Sequence, residues 1–213
     1  MRGRNKKWAI PFIEQHSELI YDKSHKLDKP LTLEIGIGKG DFIVQNAKNN
    51  QDMYHIGVEL NTSIFAIAMK KIVSENLDNV YLLNVNASEL LNYINVESID
   101  KLYLNFSDPW PQNGYRKRRL VHPLNLNVFE SLLKDGGKIY MKTDNLGLFE
   151  MAVKNFNERN YKIDFISYDY KLQDDDYQSE YEARFRSQGL PIYKIVASVI
   201  KDDLHAWSKE TIH

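Results

Sequence analysis

Residues 31–49 read LTLEIGIGKGDFIVQNAKN. A short apolar run, Leu31–Ile35, ends at Gly36, and three glycines then alternate with Ile37 and Lys39. From Asp41 the apolar residues Phe42, Ile43 and Ala47 fall at helical spacing. A strand that breaks into a glycine turn and restarts as a helix is the first unit of an open α/β sheet, with a ligand-accepting loop at the strand's carboxyl end. The glycines at 36, 38 and 40 permit a tight turn and a close backbone approach to a ligand.

The same rhythm continues along the chain. Tyr54–Leu60 reads as strand and Ser63–Asn76 as helix, followed by strand Val80–Val85. Asn86 has the form of a helix N-cap, with Glu89 three residues on in capping-box position. Lys101–Phe106 is a fourth strand, Leu124–Leu133 a helix, and Asp135-Gly136-Gly137 turns into a fifth strand, Lys138–Thr143. Helix Leu146–Arg159 precedes two β-rich runs, Tyr161–Tyr168 and Pro191–Ile200, between which no strong helix is evident. The expectation is a Rossmann-like α/β/α sandwich with a seven-stranded, mostly parallel sheet and an antiparallel last strand. It would form one domain over 1–213: a basic extension 1–30 with a helix from Pro11, a core 31–200 and a tail 201–213.

Composition narrows the setting. There is no cysteine among 213 residues, so disulfides and thiolate metal sites are excluded. The six histidines show no ligand spacing, and no metal site is expected. No signal-peptide core or membrane-spanning run appears, and a cytoplasmic location is expected. Net charge is −1, yet Arg2, Arg4, Lys6 and Lys7 crowd the start and Arg116, Lys117, Arg118 and Arg119 form a second block. Each block alone is compatible with a solvated face, but two in a near-neutral chain point to a local polyanion site.

The glycine loop is not the dinucleotide fingerprint, which would place its third glycine at position 41, where Asp41 stands. Glu34 and Asp41 would oppose a pyrophosphate but suit the sulfonium and ammonium of S-adenosylmethionine. Glu59, at the end of the second strand, would accept from ribose hydroxyls, as it would for a nicotinamide cofactor. A turn with no ligand is the bland alternative.

Strand four ends in YLNFSDPWPQ, residues 103–112. Pro109 and Pro111 stiffen the turn that carries Asp108 and Trp110. Exocyclic-amine methyltransferases often have an Asn/Asp-Pro-Pro-aromatic tetrad at this tip, which the single proline before Trp110 matches only in part. A guanine N7 already offers its lone pair, so Asp108 would orient the base and favour the charge appearing on the purine rather than remove a proton. Trp110 could stack on a base or plug the core, and Tyr115 could stack on a base or sugar. The block 116–119 would then grip phosphates.

Taken together, EIGIGKG at 34–40, YLNFSDPWP at 103–111, KRRL at 117–120, KTDNLGLFE at 142–150 and SEYEARF at 179–185 resemble the bacterial tRNA (guanine-N7-)-methyltransferase family. The resemblance implies a Rossmann-like enzyme that uses S-adenosylmethionine to form 7-methylguanosine in the tRNA variable loop, with no obligatory protein partner. It implies that Glu34, Gly36, Gly38, Glu59, Asn86 and Asp108 line the cofactor, with Asp108 also catalytic. Gln112, Asp144, Ser179, Glu180, Tyr181 and Glu182 would face the guanine nucleotide, and Arg116–Arg119 the RNA backbone. Three departures stand out: Asn86 replaces an Asp, Gln112 and Asn113 replace lysines, and Ser179 replaces a Thr. Asp144 could simply cap the helix that begins near Leu146, and without the resemblance Glu180 and Glu182 read as solvated strand-surface charges. A methyltransferase for an exocyclic amine or other acceptor, and a non-enzymatic RNA-binding module, remain the rival readings.

Overall fold

A computed structural model describes residues 6–159, 161–173 and 176–201. Arg2, Arg4, the acids Asp174 and Asp175, and the tail 202–213 lie outside the described residues. The strands are β1 (Leu31–Ile35), β2 (Tyr54–Val58), β3 (Val80–Leu83), β4 (Ile99–Asn105), β5 (Leu133–Thr143), β6 (Lys162–Ser167) and β7 (Tyr193–Ser198). The α-helices are α1 (Ala9–Gln15), α2 (Asp41–Asn49), α3 (Thr62–Ser74), α4 (Pro123–Leu132), α5 (Leu146–Glu158) and α6 (Glu180–Ser187).

The seven strands form one sheet in the order β3-β2-β1-β4-β5-β7-β6. Pairs among β1 to β5 are parallel, whereas β7 runs antiparallel to both β5 and β6. The two C-terminal runs therefore do pair antiparallel as expected, with β7 inserted between β5 and the edge strand β6. The chain reverses direction across the sheet between β1 and β4, and in open α/β sheets a crevice opens at such a switch point.

Each face of the sheet has its own apolar layer. Ile43, Ala47, Phe65, Met69 and Ile72 of α2 and α3 cover one face, with Phe12 and Ile13 of α1 packed behind them. Leu126, Phe129, Leu148, Phe149 and Phe156 of α4 and α5 cover the other against Leu102, Leu104, Ile139 and Met141. The central strands β1 and β2 are buried on both sides almost throughout, so that even Thr32, Glu34 and His55 lie inside. The first helix starts at Ala9 rather than Pro11, which places Pro11 within its first turn, where a missing N–H costs nothing.

Two local expectations change. Ala87–Asn92 is a 3₁₀ helix: Asn86 caps it by accepting from Ser88 N, and the Glu89 amide bonds the Asn86 carbonyl, so no reciprocal capping box forms. Between β6 and β7 the chain forms α6, where no helix was expected. Glu180 and Glu182 consequently lie on a helix, and Glu182 is 1% exposed rather than solvated.

Candidate functional site

The crevice is built from the carboxyl ends of β1, β2 and β4. Glu34, the last residue but one of β1, is fully buried. Asn105, at the end of β4, reaches across the switch point and donates to its Oε1 at 3.2 Å. Its Oε2 is buried without a hydrogen-bond partner. Burial pushes the Glu34 carboxyl up to about 8, against the Asn105 bond, with the charge of Asp41 adding to the rise. A buried carboxylate oxygen left unpaired costs roughly 1–3 kcal/mol, so the site as it stands calls for a donor or a cation.

The loop above it offers space for one. Gly36 and Gly38 have φ of +81° and +55°, and a Cβ on either would meet nothing within 4 Å. Glu59, just past β2, accepts from Gly38 N at 3.2 Å and from Asn61 N at 2.8 Å. Burial raises its carboxyl above the usual range; those amides oppose the rise and the charge of Asp108 adds to it. The charge of Asp108 is therefore felt at Glu59. Asn86 is exposed; its side-chain oxygen accepts from Ser88 N and Oγ, and its amino group has no hydrogen bond among the described residues.

These features fit S-adenosylmethionine. Glu34 presents an unsatisfied acid to its cationic end, Gly36 and Gly38 clear room beside the backbone, and Glu59 retains acceptor capacity for hydroxyls.

The β4 tip departs from relaxed backbone on both sides of Asp108. Phe106 and Trp110 have φ of +51° and +41°, each costing about 1–3 kcal/mol for a residue with a side chain. Asp108 itself is exposed and has no hydrogen bond or ion pair among the described residues. The turn is held from outside by Arg119, which donates from Nε to Pro109 O at 2.9 Å and from Nη2 to Trp110 O at 2.9 Å. Trp110 neither plugs the core nor stands free. It packs on Tyr115 at 5.7 Å, and the Arg118 guanidinium lies 4.9 Å and 4.6 Å from the two ring centres. Arg116, Lys117 and Arg118 are exposed with no ion pair among the described residues, and of these only Arg118 is engaged, over the Trp110 and Tyr115 rings.

The residues expected at the guanine divide into two groups. Gln112 and Asp144 carry no side-chain partner among the described residues. Asp144 is not the helix cap; Asn145 is, accepting from Leu148 N at 2.8 Å. On α6, Ser179 Oγ accepts from Glu182 N at 3.1 Å as its N-cap, and Glu180 pairs with Lys39 of the glycine loop at 2.8 Å. Glu182 is ion-paired to Lys142 and Arg186, while Tyr181 is 55% exposed. Reading the sequence alone missed the tethering roles of Lys142, Arg119 and Asn105. Lys142, a cation that follows the run Ile139-Tyr140-Met141 near the end of β5, was the one visible signal.

Comparison with known proteins agrees with this geometry. A family model described as a putative methyltransferase matches residues 28–195. The tRNA (guanine-N(7)-)-methyltransferase of Limosilactobacillus reuteri is 37% identical over 211 residues, covering 93% of this chain and 99% of its own. That of Oceanobacillus iheyensis is 38% identical over 213 residues, covering 94% and 100%. Among solved structures, a 16S rRNA (adenine(1408)-N(1))-methyltransferase from Catenulisporales acidiphilia superposes with a TM-score of 0.61 at 9% identity, over 90% of this chain and 91% of that one. A precorrin-6y C5,15-methyltransferase from Geobacter metallireducens gives 0.57 at 16% identity, over 92% and 94%. These two likenesses speak to the fold alone. With near-complete coverage at 37–38% identity and a strand-tip crevice suited to a methyl donor, the chain belongs to the tRNA (guanine-N(7)-)-methyltransferase family.

Proposed function

We propose that Asp108 is the catalytic carboxylate of this chain and that Glu34, Gly36, Gly38, Glu59 and Asn86 hold the methyl donor beside it. The activity is transfer of a methyl group from S-adenosylmethionine to N7 of a guanine in tRNA. When bound, S-adenosylmethionine supplies a methyl group made electrophilic by its sulfonium.

The chain's own contribution is placement and electrostatics. N7 carries a lone pair, so no group has to remove a proton before attack. Asp108 would accept from guanine N1–H and the 2-amino group, orient the base and favour the positive charge that develops on the purine. Its exposure and lack of a partner suit a carboxylate that awaits its ligand. The strained turn around it, clamped by Arg119, keeps it from wandering. Asp144, Gln112, Tyr181 and the neighbouring Ser179–Glu182 backbone would complete the guanine site. Arg116 and Lys117 would contact RNA phosphates, with Arg118 and Arg119 adding charge from fixed positions; these contacts give affinity rather than sequence reading. The variable loop is the proposed target region. Among the described residues no helix is long and apolar enough to cross a membrane.

The observation that carries the donor assignment is the unpaired, buried Glu34 Oε2 at the base of the glycine loop. The test is to incubate the chain with labelled methyl donor and tRNA lacking the modification, digest the RNA, and separate the nucleosides. Label in 7-methylguanosine supports the reading. Label in an exocyclic-amine product, or none, overturns it.

A further inference from the structure

Lys142 is the penultimate residue of β5, and its side chain is 7% exposed. A lysine is rarely buried so far unless its charge is met. Here the ammonium lies 3.2 Å from Glu182 Oε2, 3.4 Å from Glu182 Oε1 and 3.6 Å from Asp176 Oδ1. Asp176 lies in the stretch that leads into α6 and Glu182 in the first turn of α6, and each is tied a second time. Glu182 Oε1 accepts from Arg186 Nε at 3.0 Å and Nη2 at 2.6 Å, and Arg186 Nη1 donates to the Tyr170 carbonyl at 2.8 Å. Asp176 pairs with Lys194 of β7 at 3.5 Å and accepts from the Tyr170 hydroxyl and from Gln173 N.

The backbone of Lys142 works on the other rim. Its carbonyl accepts from Phe106 N at 2.8 Å, at the residue where β4 enters its strained turn. The Phe106 ring stacks on Phe185 of α6 at 5.9 Å. One residue thus joins the β4 tip, the β5 tip and α6. At eight residues α6 is too short to persist by itself in water, so its order depends on this docking. Lys142 also borders a cavity of about 700 Å³ over the β4–β7 face, but its donors are turned to the two acids.

We propose that Lys142 is a positioning residue: its buried ammonium pins Asp176 and Glu182, holding the segment 176–187 against the β4 and β5 tips and leaving Tyr181 as the unengaged side chain of 179–182. The meaning of that segment as a guanine contact rests on the functional reading above; the pinning itself does not. Without Lys142 each acid keeps only its second partner, Arg186 for Glu182 and Lys194 for Asp176, and loses its tie to β5, so the loss falls on the segment rather than on the sheet.

The experiment compares the full chain with Lys142→Met, Lys142→Arg and Glu182→Gln by amide hydrogen exchange, donor-binding calorimetry and steady-state kinetics on tRNA. Lys142→Met should speed exchange across 176–187 at least about tenfold and leave β1–β4 unchanged. Its kcat/KM for tRNA should fall at least about tenfold while donor affinity stays within about twofold. Lys142→Arg should recover most of both losses, because a cation in the same place can still meet the acids. Glu182→Gln should reproduce the faster exchange from the other side, and it decides the matter if Lys142→Met does not fold. Unchanged exchange across 176–187 in the variants that fold, or donor affinity falling in step with tRNA kinetics, overturns the proposal. A wild-type chain that fails to methylate tRNA would sink the functional reading and leave the exchange result standing.

Discussion

The guanidinium of Arg119 donates to the backbone carbonyls of Pro109 and Trp110, one bond of 2.9 Å to each. The last cation of the 116–119 block is thereby a brace for the turn that carries Asp108, bonding Pro109 ten residues earlier in the chain. Cutting the brace should cost activity through geometry. Arg119→Ala leaves two carbonyls short of donors, a loss of about 1–3 kcal/mol in stability, and should lower kcat at least about tenfold. Arg119→Lys should recover little, since an ammonium cannot reproduce the forked contact. Thermal unfolding and kinetics on tRNA check this; a normal kcat with only KM raised would return Arg119 to the role of a plain phosphate contact.

Arg116 and Lys117 should behave differently from Arg119. They are exposed and lack ionic partners among the described residues, as an RNA-facing cation would. The double change to Ala should weaken tRNA binding and reduce the slope of log K against log salt by about 1–2, with kcat nearly unchanged. Titrations at several salt concentrations measure it. An unaltered slope removes both residues from the interface.

Asp108→Asn keeps the shape of the turn and removes the charge. Turnover should drop about 10²–10³-fold, tRNA affinity should stay within about threefold, and the melting temperature should hold. Near-normal turnover would take the catalytic role away from Asp108.

Glu34 makes stability depend on pH. Its carboxyl is pushed up to about 8 in the folded chain by burial, against an ordinary value near 4.5. Between those two values the folded state binds more protons than the unfolded state, so this contribution to stability falls as pH rises, by at most about 1.4 kcal/mol per unit. Glu34→Gln should flatten the decline between pH 5 and 8 and should also abolish tight donor binding. A cationic ligand favours the ionised acid, so wild-type binding at pH 7 should release a proton, visible by calorimetry in buffers of different ionisation heat. Parallel stability profiles for the two chains would contradict the assignment.

How much of this was legible beforehand follows from which forces are local. The strand–glycine–helix unit at 31–49 shows in sequence because apolar spacing and glycine placement are short-range signals, and α2 forms over the expected span, Asp41–Asn49. The placement of Glu34 and Asp108 at strand ends was legible for the same reason: both stand where a strand runs into a turn. Helix α6 was not. Its one buried residue is the acid Glu182, whose burial depends on Lys142, 40 positions away, and no apolar stripe announces such a pairing. Arg119 was hidden in the opposite way. Within RKRR nothing distinguishes it from its neighbours until the chain folds back onto the Pro109-Trp110 carbonyls.

The most direct measurement is a map of the methylated position in one unmodified tRNA transcript. The 7-methylguanine ring carries a fixed positive charge that makes it reducible by borohydride, after which aniline cuts the strand there. With wild-type protein and methyl donor, one cut at a variable-loop guanosine is expected, fading to near background with Asp108→Asn. Methyl incorporation with no cut at all, or cuts at guanosines outside that loop, would contradict the account.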